Sequence, residues 1–326
     1  MKKILVTGGA GFIGSNFIRH ILKTYDDYSV VNLDKLTYCG NLENLKDVEK
    51  DKRYKFVRGD IADRKVVESL VKGCDVIINF AAETHVDRSI KKSDDFIRTN
   101  VFGTHTLLEA ARGSGIDLFV QISTDEVYGS IQEGSFKETD GLNPNSPYSA
   151  TKAAGDLLAR SYFVTHKLPV IVTRSSNNFG PFQYPEKVIP LFITNALEDK
   201  KLPLYADGMN MRDWLFVEDN CTAIDKVMHK GKPGGIYNIG VGGETTNLEL
   251  THAILDILGK GRDLIQFVKD RPGHDKRYAL DISRISELGW KPEHDFRSAL
   301  ELTVEWYRNN EKWWKRLLKC RQDIKY

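Results

Sequence analysis

Short apolar runs alternate with longer amphipathic stretches through the first half of the chain. The runs at 3–7, 29–33, 55–58, 76–80, 118–122 and 170–173 are rich in Val and Ile, and their apolar residues are continuous rather than alternating. Strands buried on both faces read this way, so the runs predict a parallel sheet. The stretches between them, 12–24, 64–72, 94–114 and 147–166, predict helices, and the last opens on Ser-Pro, a helix start. Strand–helix alternation of this kind predicts an α/β fold, a Rossmann-type doubly wound parallel sheet with right-handed crossovers.

The texture changes after Arg174. Residues 177–186 are rich in Asn, Pro and aromatics and read as loop. Helices at about 188–199 and 217–229 share the remainder with short strands and Gly-rich turns. We expect 1–176 to form the Rossmann domain, with later segments returning to it. Residues 177–326 are expected to form mostly a smaller C-terminal α/β domain that binds substrate. The tail, 300–318, is amphipathic and carries Trp306, Trp313 and Trp314; it reads as one docking helix.

Composition narrows the function. With 326 residues and 41% hydrophobic content, the chain can bury one large core or two smaller ones. A net charge of +2, without long like-charge runs, gives no support for a nucleic-acid partner. Cys39, Cys74, Cys221 and Cys320 lie far apart, with no CxxC or Cys/His cluster, so neither zinc nor any other metal nor a disulfide framework is suggested. Free thiols in a reducing cytoplasm are the expectation. Lys2 and Lys3 precede an apolar run that stops at Thr7, short of the roughly 7–15 apolar residues of a secretion signal. No stretch approaches the ~20 apolar residues of a membrane span.

The first run leads into Gly8, Gly9, Ala10, Gly11, Phe12, Ile13 and Gly14. Between a buried strand and a helix, Gly8 and Gly11 allow a tight turn and close approach of a pyrophosphate, and Gly14 lets the helix pack on the strand. The helix N-terminus then offers free N–H groups to the anion. Asp34 ends the second run, where a carboxylate accepts ribose hydroxyls and repels a 2′-phosphate, favouring NAD. Lys35 follows and softens that repulsion, which leaves the preference open. Asp60 and Ile61 after the third run, and Ala81 and Ala82 after the fourth, lie where the rest of a dinucleotide would run.

The fifth run ends in Ser123, Thr124, Asp125 and Glu126. Ligands of open α/β sheets lie beyond the carboxyl ends of strands, so these side chains face the expected cleft; an exposed turn is the alternative. Tyr148 and Lys152, four apart, share one face of a predicted helix. A phenol has a pKa near ~10, so acting as a base at neutral pH needs a shift of about 3 units, or about 4 kcal/mol. Lys152 and a positive nicotinamide ring could supply much of it. A surface Tyr–Lys pair is the alternative.

The glycine turn with Tyr148 and Lys152 resembles the extended short-chain dehydrogenase/reductase superfamily. More narrowly, the chain resembles its dTDP-glucose 4,6-dehydratase family, on 34–38, 81–89, 123–129, 177–181, 212–214 and 270–274. Departures are mild: Thr84 stands where serine is commoner, Cys39 for alanine and Phe179 for tyrosine, and the stretch from Glu126 to Tyr148 is compact. The resemblance implies that Tyr148, supported by Lys152 and Thr124, takes the C4 hydroxyl proton while hydride passes to NAD. Glu126 then removes the C5 proton, Asp125 protonates the leaving C6 hydroxyl, and hydride returns to C6. One of the two carboxyls must therefore be a protonated acid at neutral pH. The resemblance also assigns NAD contacts to Phe12, Ile13, Asp34, Lys35, Leu36, Thr37, Asp60, Ile61, Phe80, Ala81, Ala82, Glu83, Thr84, Thr99, Tyr148, Lys152 and Asn178. The nucleotide-sugar falls to Thr84, Thr124, Asn177, Lys187, Pro203, Leu204, Tyr205, Arg212, Asn247, Asp270, Arg271, Pro272, Gly273 and His274. Arginine forks at 212 and 271 suit a diphosphate. For His85, structural hydrogen bonding and proton transfer both stand.

The resemblance implies a homodimer through the helices at 94–114 and 147–166, with Leu107, Leu108, Leu157 and Leu158 serving either a core or an interface. Competing activities on the same frame are a nucleotide-sugar 4-epimerase and a UDP-glucuronate decarboxylase, neither of which needs an acid for a leaving C6 hydroxyl; Asp125 beside Glu126 favours dehydration. A GDP-mannose dehydratase shares the chemistry but usually prefers NADP, against which Asp34 speaks. A non-catalytic dinucleotide sensor commonly lacks the tyrosine or its lysine.

Overall fold

The computed structural model describes residues 1–322, with the side chains of the last three, Cys320 included, outside the described set. The strands are β1 (Lys2–Thr7), β2 (Tyr28–Asp34), β3 (Tyr54–Arg58), β4 (Val76–Asn79), β5 (Leu118–Thr124), β6 (Val170–Ser175), β7 (Asn177–Phe179), β8 (Leu202–Tyr205), β9 (Met211–Arg212), β10 (Trp214–Phe216), β11 (Ile236–Ile239), β12 (Thr245–Thr246) and β13 (Ile265–Val268). Seven form one parallel sheet in the order β11-β6-β5-β4-β1-β2-β3. The chain starts at β1, runs outward to β3, then returns to β4 and runs the other way. The switch point between β1 and β4 opens a crevice at their carboxyl ends.

The helices are α1 (Phe12–Thr24), α2 (Arg64–Val71), α3 (Val86–Lys91), α4 (Asp94–Phe96), α5 (Thr104–Arg112), α6 (Pro147–His166), α7 (Val188–Leu197), α8 (Val217–Lys230), α9 (Asn247–Leu258), α10 (Ser283–Glu287), α11 (Phe296–Asn309) and α12 (Glu311–Gln322). Local signals explain their ends. A reciprocal Ser146–Ser149 capping box and Pro147 start α6, and Lys167 in the left-handed region stops it. Thr246 and Glu249 cap α9 in the same way, with Gly259 as its left-handed stop.

The sheet is buried on both faces. Ile4, Val6, Ile78 and Val120 join Phe17, Ile21, Ile224 and Val227 of α1 and α8 on one side. Leu5, Ile77, Phe119 and Val172 join Val67, Leu107, Leu108 and Ala159 of α2, α5 and α6 on the other. A further core draws only on the second half, with Phe179, Phe192, Ile254, Val304 and Trp314 among its members.

Two expected helices differ. The stretch from 94 to 112 is interrupted between α4 and α5 by a π-helical turn at Ile97–Gly103. That wide turn presents Asn100, whose side-chain amide exchanges hydrogen bonds with the backbone of Glu83 at 2.9 and 3.0 Å. Insertions of this type lie at functional positions often enough to be informative. The tail is two helices, α11 and α12, because Asn310 turns the chain and its side chain caps Trp306 O at 2.8 Å. The turn lets Trp306 and Trp313 both meet Phe182, at ring-centroid distances of 4.7 and 6.1 Å. Trp313 also donates to Asn44, which donates in turn to the Ala10 carbonyl in the glycine turn, each at 3.0 Å. Trp314 is fully buried, its indole N–H on Tyr307 O at 2.9 Å. Trp314→Ala should therefore cost about 3–5 kcal/mol, read as a lower urea midpoint with little change in slope.

Candidate functional site

The turn after β1 is built for close approach. Gly8 has φ +70°, and a Cβ there would lie 2.7 Å from the Ala81 backbone. A Cβ on Gly14 would lie 2.5 Å from Gly8 O. α1 opens with no side-chain cap on Gly11 and no acid in its first turn, which keeps its N–H groups for an anion. A cavity runs from this turn along the sheet's carboxyl edge. It is lined by Gly8, Gly11, Phe12, Ile13 and Gly14; by Asp34, Lys35, Thr37, Asp60 and Ile61; by Phe80 to Thr84 and Thr99; and by Tyr148, Lys152, Asn177, Asn178 and Lys187. All predicted cofactor contacts line it except Leu36.

Asp34 binds the turn to the second strand: its two oxygens accept from Ala10 N at 2.9 Å and Leu36 N at 2.8 Å. Leu36 holds φ +56° to make that contact, so its backbone does the work and its side chain stays outside the lining. The ammonium of Lys35 is turned to Asp60, 3.0 Å away. It is thus spoken for, and the open question over Asp34 narrows towards NAD.

Thr124 ends β5 and caps a short 3₁₀ turn, Asp125–Tyr128, accepting from Glu126 N at 3.3 Å. Its hydroxyl donates to Asp125 Oδ1 at 3.1 Å. Asp125 is 2% exposed, and its Oδ2 is buried without a partner. Thr124 and Glu126 line the cavity, but Asp125 lies just behind its wall. Burial, then the neighbouring Glu126 carboxylate, push the Asp125 carboxyl up to about 8. Burial raises Glu126 too, but the Arg271, Lys187 and Arg212 cations oppose it. The two carboxyls thus sit in different fields.

Tyr148 and Lys152 both line the cavity from α6. Their charges run against the simple expectation. Burial, then Glu126, push the phenol up, and a hydrogen bond with Thr124 opposes this. Burial pulls the Lys152 ammonium down to about 8, and it donates to Ile122 O at 2.6 Å. These residues alone hold a neutral phenol; a further positive charge must come with a ligand.

Sequence reasoning missed the support behind them. Asp156, one turn beyond Lys152, is buried and paired with Arg174 at 3.0 Å. Arg174 donates to Tyr128 OH, which donates to Asn238, each at 2.8 Å. Asp156 continues the four-residue spacing of Tyr148 and Lys152, and that carboxylate on the helix's buried face was the available signal. His85 is a helix cap: Nδ1 accepts from Arg88 N at 3.4 Å, and burial pulls its pKa down. That geometry favours the structural alternative.

Among the predicted sugar-nucleotide contacts, Thr84, Thr124, Asn177 and Lys187 line the cavity. Pro203, Leu204, Tyr205, Arg212, Asn247 and Asp270 to His274 do not; they form a flank. The Leu204 side chain is core, so only its backbone could meet a ligand. Arg212 is buried, with its guanidinium on the carbonyls of Asp275 at 2.8 Å and Met211 at 2.7 Å. It fastens the segment carrying 270–274, where Gly273 has φ +64° and Pro272 is exposed. Tyr205 packs edge-on to His274, whose Nδ1 lies 2.6 Å from Asp270. Arg271 pairs loosely with Asp87 at 3.5 Å and keeps a buried, partnerless Nε; Asn247 Oδ1 is partnerless as well. Such orphaned polar atoms suit a polar ligand between cavity and flank.

The sequence profile of the GDP-mannose 4,6 dehydratase family matches residues 5–303. A dTDP-glucose 4,6-dehydratase of Streptomyces antibioticus is 52% identical over 97% of this chain and 95% of its own. The low-salt glycan biosynthesis protein Agl12 of Haloferax volcanii is 55% identical over 94% of this chain and 99% of its own. The chain belongs to the dTDP-glucose 4,6-dehydratase family. The family's fold is matched closely: the enzyme from Streptomyces venezuelae, solved with NAD bound, superposes with a TM-score of 0.95 at 50% identity over 97% of this chain and 99% of its own.

The raised Asp125 carboxyl has a stability signature. The folded state binds this proton more tightly than the unfolded chain, so the penalty is absent near pH 4, grows as pH rises and is complete above about 8. Asp125→Asn should be more stable than wild type in urea at pH 9, with the gap closing towards pH 4.

Proposed function

We propose that this protein dehydrates dTDP-glucose to dTDP-4-keto-6-deoxyglucose as an NAD-dependent hydro-lyase. The observation that carries the reading is the pair at the end of β5, a buried carboxyl pushed up to about 8 beside a cavity-lining one whose rise is opposed by three cations. Elimination needs an acid and a base together, and unequal fields supply both.

The cradle fits a dinucleotide. The glycine turn and the N-terminus of α1 would hold its pyrophosphate, Asp34 its adenosine ribose, and Thr99, Ala81 to Thr84 and Asn178 the remainder. When bound, NAD would supply the acceptor for the C4 hydride and the source of the hydride that reaches C6. Tyr148 takes the C4 hydroxyl proton, oriented by Thr124. Lys152, held by Ile122 O and balanced by Asp156, contributes positive charge beside it. Glu126 takes the C5 proton, and Asp125 gives its proton to the departing C6 hydroxyl. Lys187 and Asn177 from the cavity side, with Arg212 and Arg271 from the flank, would grip the nucleotide diphosphate. Epimerases and decarboxylases have no use for Asp125 in this state.

We read the chain as two domains, with residues after 176 forming mostly the substrate side and β11 and α8 returning to the sheet. We also propose a homodimer. Leu107 and Leu108 are core, but Ile97, Phe102, Leu157 and Val164 are 49–56% exposed on the π turn and α6, a face that fits a second copy of itself. Leu157→Asp should shift the sedimenting mass to the monomer; an unchanged mass overturns this face. Among the described residues no helix is long and apolar enough to cross a membrane, and Cys39, Cys74 and Cys221 are free thiols. We place the enzyme in the cytoplasm on the thiols.

Purified protein incubated with dTDP-glucose and no added cofactor should lose one water from the substrate by mass spectrometry and give the alkaline absorbance of a keto sugar. If none forms even with NAD, parallel runs with UDP-glucose, UDP-glucuronate and GDP-mannose separate a different nucleotide from a different reaction. Tyr148→Phe should lower kcat by about 10²–10⁴-fold with little change in nucleotide binding. The rate should fall as pH rises through about 8, where Asp125 and Lys152 both lose their protons. Asp125→Asn should leave only residual activity.

A further inference from the structure

Proton bookkeeping exposes a requirement that the proposed roles leave unmet. Each turnover places one proton on Tyr148, from the C4 hydroxyl, and removes one from Asp125, with the departing water. Glu126 gains a proton from C5 and gives one back there, so it balances. The site therefore ends with a protonated phenol and an ionised Asp125, and must begin the next cycle with a phenolate and a carboxylic acid. Tyr148 has to lose one proton and Asp125 has to gain one.

Solvent is poorly placed to deliver it. Asp125 is 2% exposed and does not line the cavity. Its Oδ2 has no partner, and among the described residues its hydrogen bond is with Thr124, at 3.1 Å to Oδ1. The same threonine lines the cavity together with Tyr148, and its hydroxyl opposes the rise that burial imposes on the phenol. Glu126, the adjacent carboxyl, is committed to the C5 proton, and two further neighbours lead nowhere. Lys152 points its ammonium at the Ile122 carbonyl, which cannot pass a proton onward. Asp213, the next carboxyl, is engaged by the Val241 and Gly242 N–H groups at 3.0 and 3.3 Å. We propose that Thr124 is the relay that reloads Asp125, taking a proton from the Tyr148 side as it hands its own to the carboxylate.

The step balances. The phenol O–H breaks as a Thr124 O–H forms, and the original Thr124 O–H breaks as the Asp125 O–H forms; no electrons leave the site. For these residues alone the phenol holds its proton the more tightly, and a positive charge beside the ring reverses the order. If the phenol instead exchanges with water in the open cavity, the proton still reaches Asp125 through Thr124.

This inference rests on the dehydratase reading, and first-turnover kinetics separate the two. NAD-loaded enzyme is mixed with excess dTDP-glucose and quenched over milliseconds to minutes. Thr124→Val should make about one product per site, then continue at least about tenfold more slowly than its own first turnover. Thr124→Ser should restore the wild-type trace. If the valine variant does not fold, judged by circular dichroism, Thr124→Ala is read in the same way. An equal slowing of first and later turnovers overturns the relay and leaves Thr124 as an orienting group for Tyr148. A wild type that never converts dTDP-glucose fails the dehydratase reading instead.

Discussion

A parallel sheet with both faces covered has only its ends left for chemistry. β1, β4 and β5 are packed above and below by helices, so their polar side chains can meet a ligand only at the carboxyl ends. The constraint gathers the glycine turn, residues 80–84 and the Thr124–Glu126 turn on one edge, at the switch point between β1 and β4. It also sets the dielectric. A carboxyl at the foot of such a strand is buried by the architecture itself, and the raised Asp125 follows from its address.

Adjacency then separates what burial alone would equalise. Successive residues in a tight turn face different ways. Asp125 is buried beside Thr124, with the Glu126 carboxylate as its strongest charged neighbour, while Glu126 lines the cavity with Arg271, Lys187 and Arg212 opposing its rise.

The strands were legible because each is a continuous Val/Ile run, which only two-sided burial requires. The glycine turn was legible because backbone approach admits few residues. Asp125, Glu126, Tyr148 and Lys152 could be picked out as side chains with no packing reason to be there. Less legible was anything that depends on the second half. The flank of Arg212 and 270–274 is brought to the cleft by tertiary packing, and short pieces such as β9 and β12 carry no periodicity to announce it. The π turn was invisible because nothing in the sequence of 97–103 separates a π turn from an α turn, and the Asn100–Glu83 exchange made there joins separate elements. The field on Tyr148 was misjudged because its main term, burial, is a property of the fold rather than of the Tyr–Lys spacing.

The tail's reach to the start of the chain bears on how the molecule is made. Trp313 and Asn44 connect α12 to Ala10, in the first glycine turn. On the ribosome, residues 1–176 can pair their strands long before α12 exists, but the brace on the turn waits for almost the whole chain. The brace on the cofactor cradle therefore waits on α12, whose Trp313 lies 269 residues beyond Asn44. A shortened transcript or an early stop would yield a sheet with an unbraced cradle.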